Sequence, residues 1–242
     1  MQTQSFTTDG FKASVTPRAM SHAEIKQTIL DYKVAAQHAK DAGFDGIEIH
    51  AQAGMLIPQF LSLADNHCND EYGGSIENRA RIIFEIWDAI TEVWDSTRIA
   101  IRFTPVMLCH VGIVKPDIGT IPLFKYLLNK LSNYNLAYLH IVGPSEDLSG
   151  TSVETLQDDY FGHFRANCKG NLMANLGFNK NIGSAILQQG KADFVSFGEP
   201  FIANPDLVDR FRHDLPLAKA DRNTFYGGDE NGYTNYPRAV YP

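Results

Sequence analysis

The chain has 242 residues, 44% of them hydrophobic and 20% charged, with a formal net charge of −7 at pH 7. This is globular composition with enough apolar material for a sizeable core, and the acidic balance argues against a broad nucleic-acid surface. No stretch has the apolar length of a membrane span, the first residues lack the features of a secretory leader, and three scattered cysteines (Cys68, Cys109, Cys168) match neither a zinc spacing nor a disulfide framework. A reduced, cytoplasmic setting is expected, with no metal centre.

Residues 1–20 read as an irregular lead-in, polar and broken by Gly10 and Pro17. Ser21-His22-Ala23-Glu24 then has the form of a capping box, a hydroxyl at the cap and a carboxylate three residues later. Ile25, Ile29, Tyr32, Ala36 and Ala39 follow at near-helical spacing, and Gly43 supplies a stop. Residues 47–50 read as a short buried strand. His50 leaves its C-terminal end beside a glycine-containing turn, where parallel α/β folds meet their ligands.

The pattern repeats. Helices are expected over 78–94, 122–131, 158–168, 181–189 and 205–211, and strands over 98–103, 136–142, 172–175 and 193–197. Alternating strands and helices imply βαβ units and a parallel sheet with its strands in sequential order. Five such units suit an open sheet or part of an eight-fold barrel, and periodicity does not separate the two. Residues 221–242 form a tail rich in Gly and Tyr, with turn chemistry rather than helix or strand chemistry. One domain over 1–242 is expected.

Several segments together resemble the Old Yellow Enzyme family, FMN-dependent NAD(P)H oxidoreductases that reduce activated alkenes. They are Thr16-Pro17-Arg18-Ala19-Met20, Ala42 to His50, Asp70-Glu71-Tyr72-Gly73-Gly74-Ser75-Ile76-Glu77-Asn78-Arg79, Ile101-Arg102-Phe103-Thr104-Pro105, Ala137-Tyr138-Leu139-His140, Phe197 to Leu207, and the tail from Thr224 to Pro237. The resemblance implies a TIM (β/α)8 barrel of which this chain holds about the last five βα units. It also implies FMN as cofactor, NAD(P)H as reductant, and a small electrophilic acceptor such as an activated alkene or quinone. Two open sheet edges then call for an oligomer or a partner to cover them.

The resemblance also assigns residues. His50 matches the histidine that hydrogen-bonds the acceptor oxygen, where negative charge develops. Arg102 matches the arginine beside the N1/C2-carbonyl edge of the flavin, where a cation stabilises the reduced, anionic ring. Leu176, Gly177 and Gly198 fall in the loops that take the flavin phosphate. Phe225 and Tyr226 match a pair at the dimethylbenzene edge and the acceptor pocket, and Tyr226 is counted with His50 as catalytic.

The departures are specific. Ala53 stands where the family has a second His or Asn, and Met55 where it has a proton-donating Tyr. Neither can donate a useful hydrogen bond. Leu176 replaces a Gly, and Glu199 replaces the Arg that pairs with phosphate. These changes motivate an alternative: a truncated, non-catalytic relative, an assembly partner or gene fragment, with weak or no FMN binding. Glu77 and Arg79 are expected to form a structural ion pair, and His67, His110, His140 and His163 are given no functional role.

Overall fold

The computed structural model describes residues 4–7, 9–13, 15, 18–52, 54–106, 116–227 and 229–240. In chain order the elements are β1 (Gln4–Thr7), β2 (Gly10–Ala13), α1 (His22–Asp41), β3 (Ile47–Ala51), α2 (Leu56–Leu61), α3 (Ile76–Thr91), β4 (Ile99–Phe103), α4 (Thr120–Leu131) and β5 (Tyr138–Val142). There follow α5 (Tyr160–Arg165), β6 (Leu172–Asn175), α6 (Lys180–Gln188), β7 (Phe194–Ser196), α7 (Glu199–Ile202) and α8 (Leu207–Arg212).

Strands β3 to β7 form one parallel sheet in sequential order, as the alternation predicts. Register places Ile49, Ile101, Leu139 and Leu172 in one row across four strands. All four are buried, and the cluster they join extends to Ile82, Ile83, Ile86 and Ile90 of α3 and Leu127, Leu128 and Leu131 of α4. Each such side chain contributes roughly 1.5–3 kcal/mol through area removed from water. Because successive strand residues alternate faces, this row turns the residues between, Glu48, His50, Arg102, Tyr138 and His140, to the opposite side of the sheet. Helices α3 and α4 pack against this apolar side.

Local chemistry sets the element ends. Ser21 caps α1 with a complete capping box: the Glu24 amide donates to Ser21 Oγ at 3.3 Å, and the Ser21 amide donates back to Glu24 Oε2 at 2.8 Å. Ser75 caps α3 through the Asn78 amide. Trp94 donates from Nε1 to the Ala36 carbonyl at 2.8 Å, which ties the segment after α3 to α1. Gly46 lies so close to β4 that a Cβ there would sit 2.5 Å from the Arg98 carbonyl oxygen, so only glycine lets β3 approach β4 at this point.

Three expectations need correction. The first twenty residues are not wholly irregular, since β1 and β2 pair as an antiparallel hairpin. Its signal was the Asp9-Gly10 pair, and Gly10 sits at φ 96°. Second, α2 and α7 went unpredicted. Both are short and carry a proline in the first turn (Pro58, Pro200), a position that helices tolerate but that reads as a break. Third, Glu77 and Arg79 form no ion pair; residues two apart on a helix do not face each other. Arg79 is instead 3% exposed beside a cavity of about 30 Å³. Its Nε and Nη1 have no hydrogen-bond partner among the described residues, and burial lowers its pKa against the pull of Asp117.

A buried ion pair closes the C-terminal end. Arg210 Nε donates to Asp206 Oδ1 at 2.7 Å, with both side chains buried. The same guanidinium donates to the carbonyls of Pro216 and Pro237, and the Ala239 amide donates to Asp206 Oδ2. The tail is therefore tied back onto α8.

Candidate functional site

The face of the sheet away from the helices is polar and internally connected. His140 Nδ1 lies 2.9 Å from Glu48 Oε2, and its Nε2 lies 2.8 Å from Ser196 Oγ. Asn175 donates from Nδ2 to Ser196 Oγ at 2.8 Å and accepts at Oδ1 from Arg102 Nη2 at 3.1 Å. The network follows a rule. Glu48, His140 and Ser196 come from β3, β5 and β7, whereas Arg102 and Asn175 come from β4 and β6. Side chains drawn from alternate strands into layers are the packing of a (β/α)8 barrel interior, where a full layer holds four. Among the described residues one layer holds three and the other two, and the sheet stays open, with edges at β3 and β7.

Electrostatics follow from this packing. Burial alone would push the Glu48 carboxyl up. The hydrogen bond and charge of His140, then a hydrogen bond from Tyr138 and the charge of Arg102, outweigh it and hold Glu48 below the ordinary carboxylate range. Burial, and then the Glu48 charge, push the Tyr138 hydroxyl up to about 12.

The candidate residues gather at the C-terminal rim of this sheet. His50 and Arg102 are register partners on adjacent strands. His50 is exposed, and Arg102 is half-buried. Leu176 and Gly177 follow directly after β6, and Gly198 comes two residues after β7; Asn175 and Ser196 are in register, so both loops leave one corner. Leu176 holds φ 106°, a strained value for a side-chain-bearing residue, and Gly177 holds φ 68°. Glu199 opens α7 and faces Arg222 at 3.3 Å. That contact brings the turn before Phe225 and Tyr226 to the same corner. Phe225 is half-buried and Tyr226 is 88% exposed.

Ala53, Cys109 and His110 lie outside the described residues. Met55 is exposed at the start of α2 and offers no donor. Sequence reasoning missed Asn175 and Ser196, and it set His140 aside. The signal was present: polar residues at alternate positions of strands that are otherwise largely apolar.

At the end a flavin ring would face, Arg102 is only partly satisfied, since its Nε is buried with no partner among the described residues. A half-satisfied guanidinium beside an exposed imidazole suits an electron-rich ring edge and a carbonyl oxygen. The phosphate end fits poorly: Glu199 places a carboxylate there and already engages Arg222, and the Leu176 side chain occupies the loop.

Five parallel βα units, a layered interior and polar residues gathered at the C-terminal rim define part of a TIM barrel. The model of a family described as NADH:flavin oxidoreductase / NADH oxidase matches residues 2–218. The chain belongs to that family, the Old Yellow Enzyme family, whose flavin is FMN and whose reductant is NAD(P)H. It is 39% identical over 223 residues to a putative 12-oxophytodienoate reductase 11 of Oryza sativa subsp. japonica, covering 92% of this chain and 59% of that protein. It is 36% identical over 226 residues to 12-oxophytodienoate reductase 2 of Arabidopsis thaliana, covering 91% and 58%. The structure of morphinone reductase superposes with a TM-score of 0.87 at 39% identity, over 98% of this chain and 62% of that one. An Old Yellow Enzyme homologue from Zymomonas mobilis gives 0.87 at 34%, over 98% and 66%. The chain thus spans about three fifths of the curated relatives' length. No helix among the described residues is long and apolar enough to cross a membrane.

Proposed function

We propose that this chain forms the acceptor and flavin-ring half of an FMN-dependent NAD(P)H oxidoreductase of the Old Yellow Enzyme type, acting in the cytoplasm on a small electrophilic acceptor such as an activated alkene or quinone. The adjacency of His50 and Arg102 at the sheet rim supports the reading. When bound, the flavin would take hydride from NAD(P)H and pass it to the acceptor. His50 donates a hydrogen bond to the acceptor oxygen as charge builds there. Arg102 holds a fixed cation against the ring edge. Gly177 and Gly198 leave the backbone open at the far corner, and Phe225 and Tyr226 would cover the ring's apolar edge. With Met55 where a proton donor would stand, the acceptor carbon takes its proton from solvent, which favours acceptors that need no positioned donor.

FMN titration of the purified full chain, followed by flavin fluorescence and the visible absorption band, tests this. Saturable quenching, and bleaching of the band by NADPH without oxygen, are expected. A chain that stays colourless in excess FMN overturns the proposal.

The open edges at β3 and β7 and the carboxylate of Glu199 favour one second reading, a non-catalytic assembly partner. In either reading a further segment or subunit covers the open face. Molecular mass in solution, measured with and without a full-length relative, separates the two: a mixed oligomer that takes up no flavin supports the partner.

A further inference from the structure

Asn175 is the last residue of β6, and its side chain joins β4 to β7. Its Oδ1 accepts from Arg102 Nη2 at 3.1 Å, and its Nδ2 donates to both the carbonyl and the Oγ of Ser196, at 3.1 and 2.8 Å. A guanidinium only donates, so the amide is locked in one of its two orientations. Ser196 is held in turn by His140, which is 5% exposed, and His140 by Glu48. Because a carboxylate only accepts, His140 Nδ1 carries a proton. Nε2 then faces the Ser196 hydroxyl, which can donate to it or accept from it. The chain Glu48, His140, Ser196, Asn175, Arg102 pairs a donor with an acceptor at every link. It ends on an arginine whose Nε is buried with no hydrogen-bond partner among the described residues.

We propose that Asn175 is a positioning residue for Arg102. It holds the guanidinium across the sheet, with Ser196 fixing the amide, so that the cation meets a ring edge with its orientation already set. The second half of this statement rests on the flavin reading above; the first half does not. An arginine on a sheet open at both edges has many rotamers available, and the amide removes most of them before any ligand arrives. Preorganised charge is what stabilises a developing anion without reorganisation at the moment of reaction.

The test uses the 15N-labelled full chain and follows the Arg102 Nε–H signal. Asn175→Ala is expected to speed exchange of that proton with water by about tenfold or more, through more frequent local opening. Ser196→Ala, which removes only the side-chain tether, should act in the same direction with a smaller effect. Asn175→Asp retains an acceptor for Arg102 and should restore slow exchange. With FMN bound, Asn175→Ala should weaken the preference for reduced flavin about tenfold, about 30 mV for a two-electron couple. Unchanged Arg102 exchange in folded Asn175→Ala overturns the proposal, whatever the flavin does. Should that variant fail to fold, Ser196→Ala decides: unchanged exchange there overturns it equally. If FMN leaves the Arg102 signal of the unsubstituted chain unmoved, the flavin reading fails, while the exchange data still decide whether Asn175 holds Arg102.

Discussion

Glu48 and His140 meet at 2.9 Å across the intervening strand β4. Ala100, the β4 residue in register with Glu48, offers only a methyl group there, so the carboxylate passes over it to the imidazole. A larger residue at 100 would block the contact. The layered interior thus depends on a small side chain in the strand that is skipped.

The pair makes stability depend on pH in a defined direction. Glu48 titrates below its ordinary value, so its contribution is present above the unfolded-state pKa of about 4.3 and is lost as pH falls through the folded value. Glu48→Gln should cost about 1 kcal/mol at pH 7, the low end for a charge-assisted hydrogen bond because the carboxylate keeps some solvent. Thermal unfolding at pH 7 and below pH 4 checks this: the gap between the two proteins should be clear at pH 7 and should narrow in acid.

The Asp206–Arg210 clamp gives a larger effect. Removing one member leaves the other charged and buried, which typically costs about 3–5 kcal/mol. Asp206→Ala also removes the acceptor for the Ala239 amide, so the tail loses that anchor while Arg210, which holds Pro216 and Pro237, loses its counter-charge. Denaturant unfolding should show a loss of that size, and limited proteolysis should cut the 216–239 region first. A loss under 1 kcal/mol would show that the clamp is dispensable.

At the head of α1, Ser21→Ala removes a hydroxyl that accepts from the Glu24 amide and should cost about 1 kcal/mol. Glu24 itself is held at about 2, first by the Arg18 hydrogen bond and then by the Ser21 amide and hydroxyl. Its cap should therefore persist through mild acid and fail only as pH falls toward 2. Amide exchange over 21–25, compared at pH 5 and pH 3, reads this directly, the Ser21 amide reporting its bond to the Glu24 carboxylate.

How much of this was legible in the sequence differs between fold and site. Helices α1 and α3 and all five parallel strands were readable, because each is a capped or apolar-patterned run whose periodicity depends on its own residues. The hairpin and the short helices α2 and α7 were not, being too brief for periodicity and carrying Gly10, Pro58 or Pro200. His50 and Arg102 could be placed at strand ends. The network behind them could not: Glu48 finds His140 across one strand and His140 finds Ser196 across another, and those pairings exist only once the register is set. The inner edge of the site is a property of the sheet, whereas the substitutions at Met55, Leu176 and Glu199 are visible one residue at a time.

Those last two substitutions predict a ligand preference. In the proposed flavin reading Glu199 sets a carboxylate at the phosphate end, and it holds Arg222 at 3.3 Å. Leu176 adds a side chain at φ 106°, where a Cβ is strained by roughly 1–2 kcal/mol. A flavin without phosphate escapes both penalties, so the unsubstituted chain should bind riboflavin at least as tightly as FMN. Leu176→Gly relieves that strain but gives up the covered part of a side chain that is 38% exposed, so stability should change by less than about 1 kcal/mol. Glu199→Arg replaces repulsion by attraction and frees Arg222 for the same anion. Since both groups are solvent-exposed, the gain is about 1.4 kcal/mol, or tenfold in FMN affinity. Riboflavin affinity should stay the same, because the ring end is untouched. Paired titrations of riboflavin and FMN against the unsubstituted chain and both variants measure the difference. A tenfold preference for FMN in the unsubstituted chain would show that the phosphate is held elsewhere.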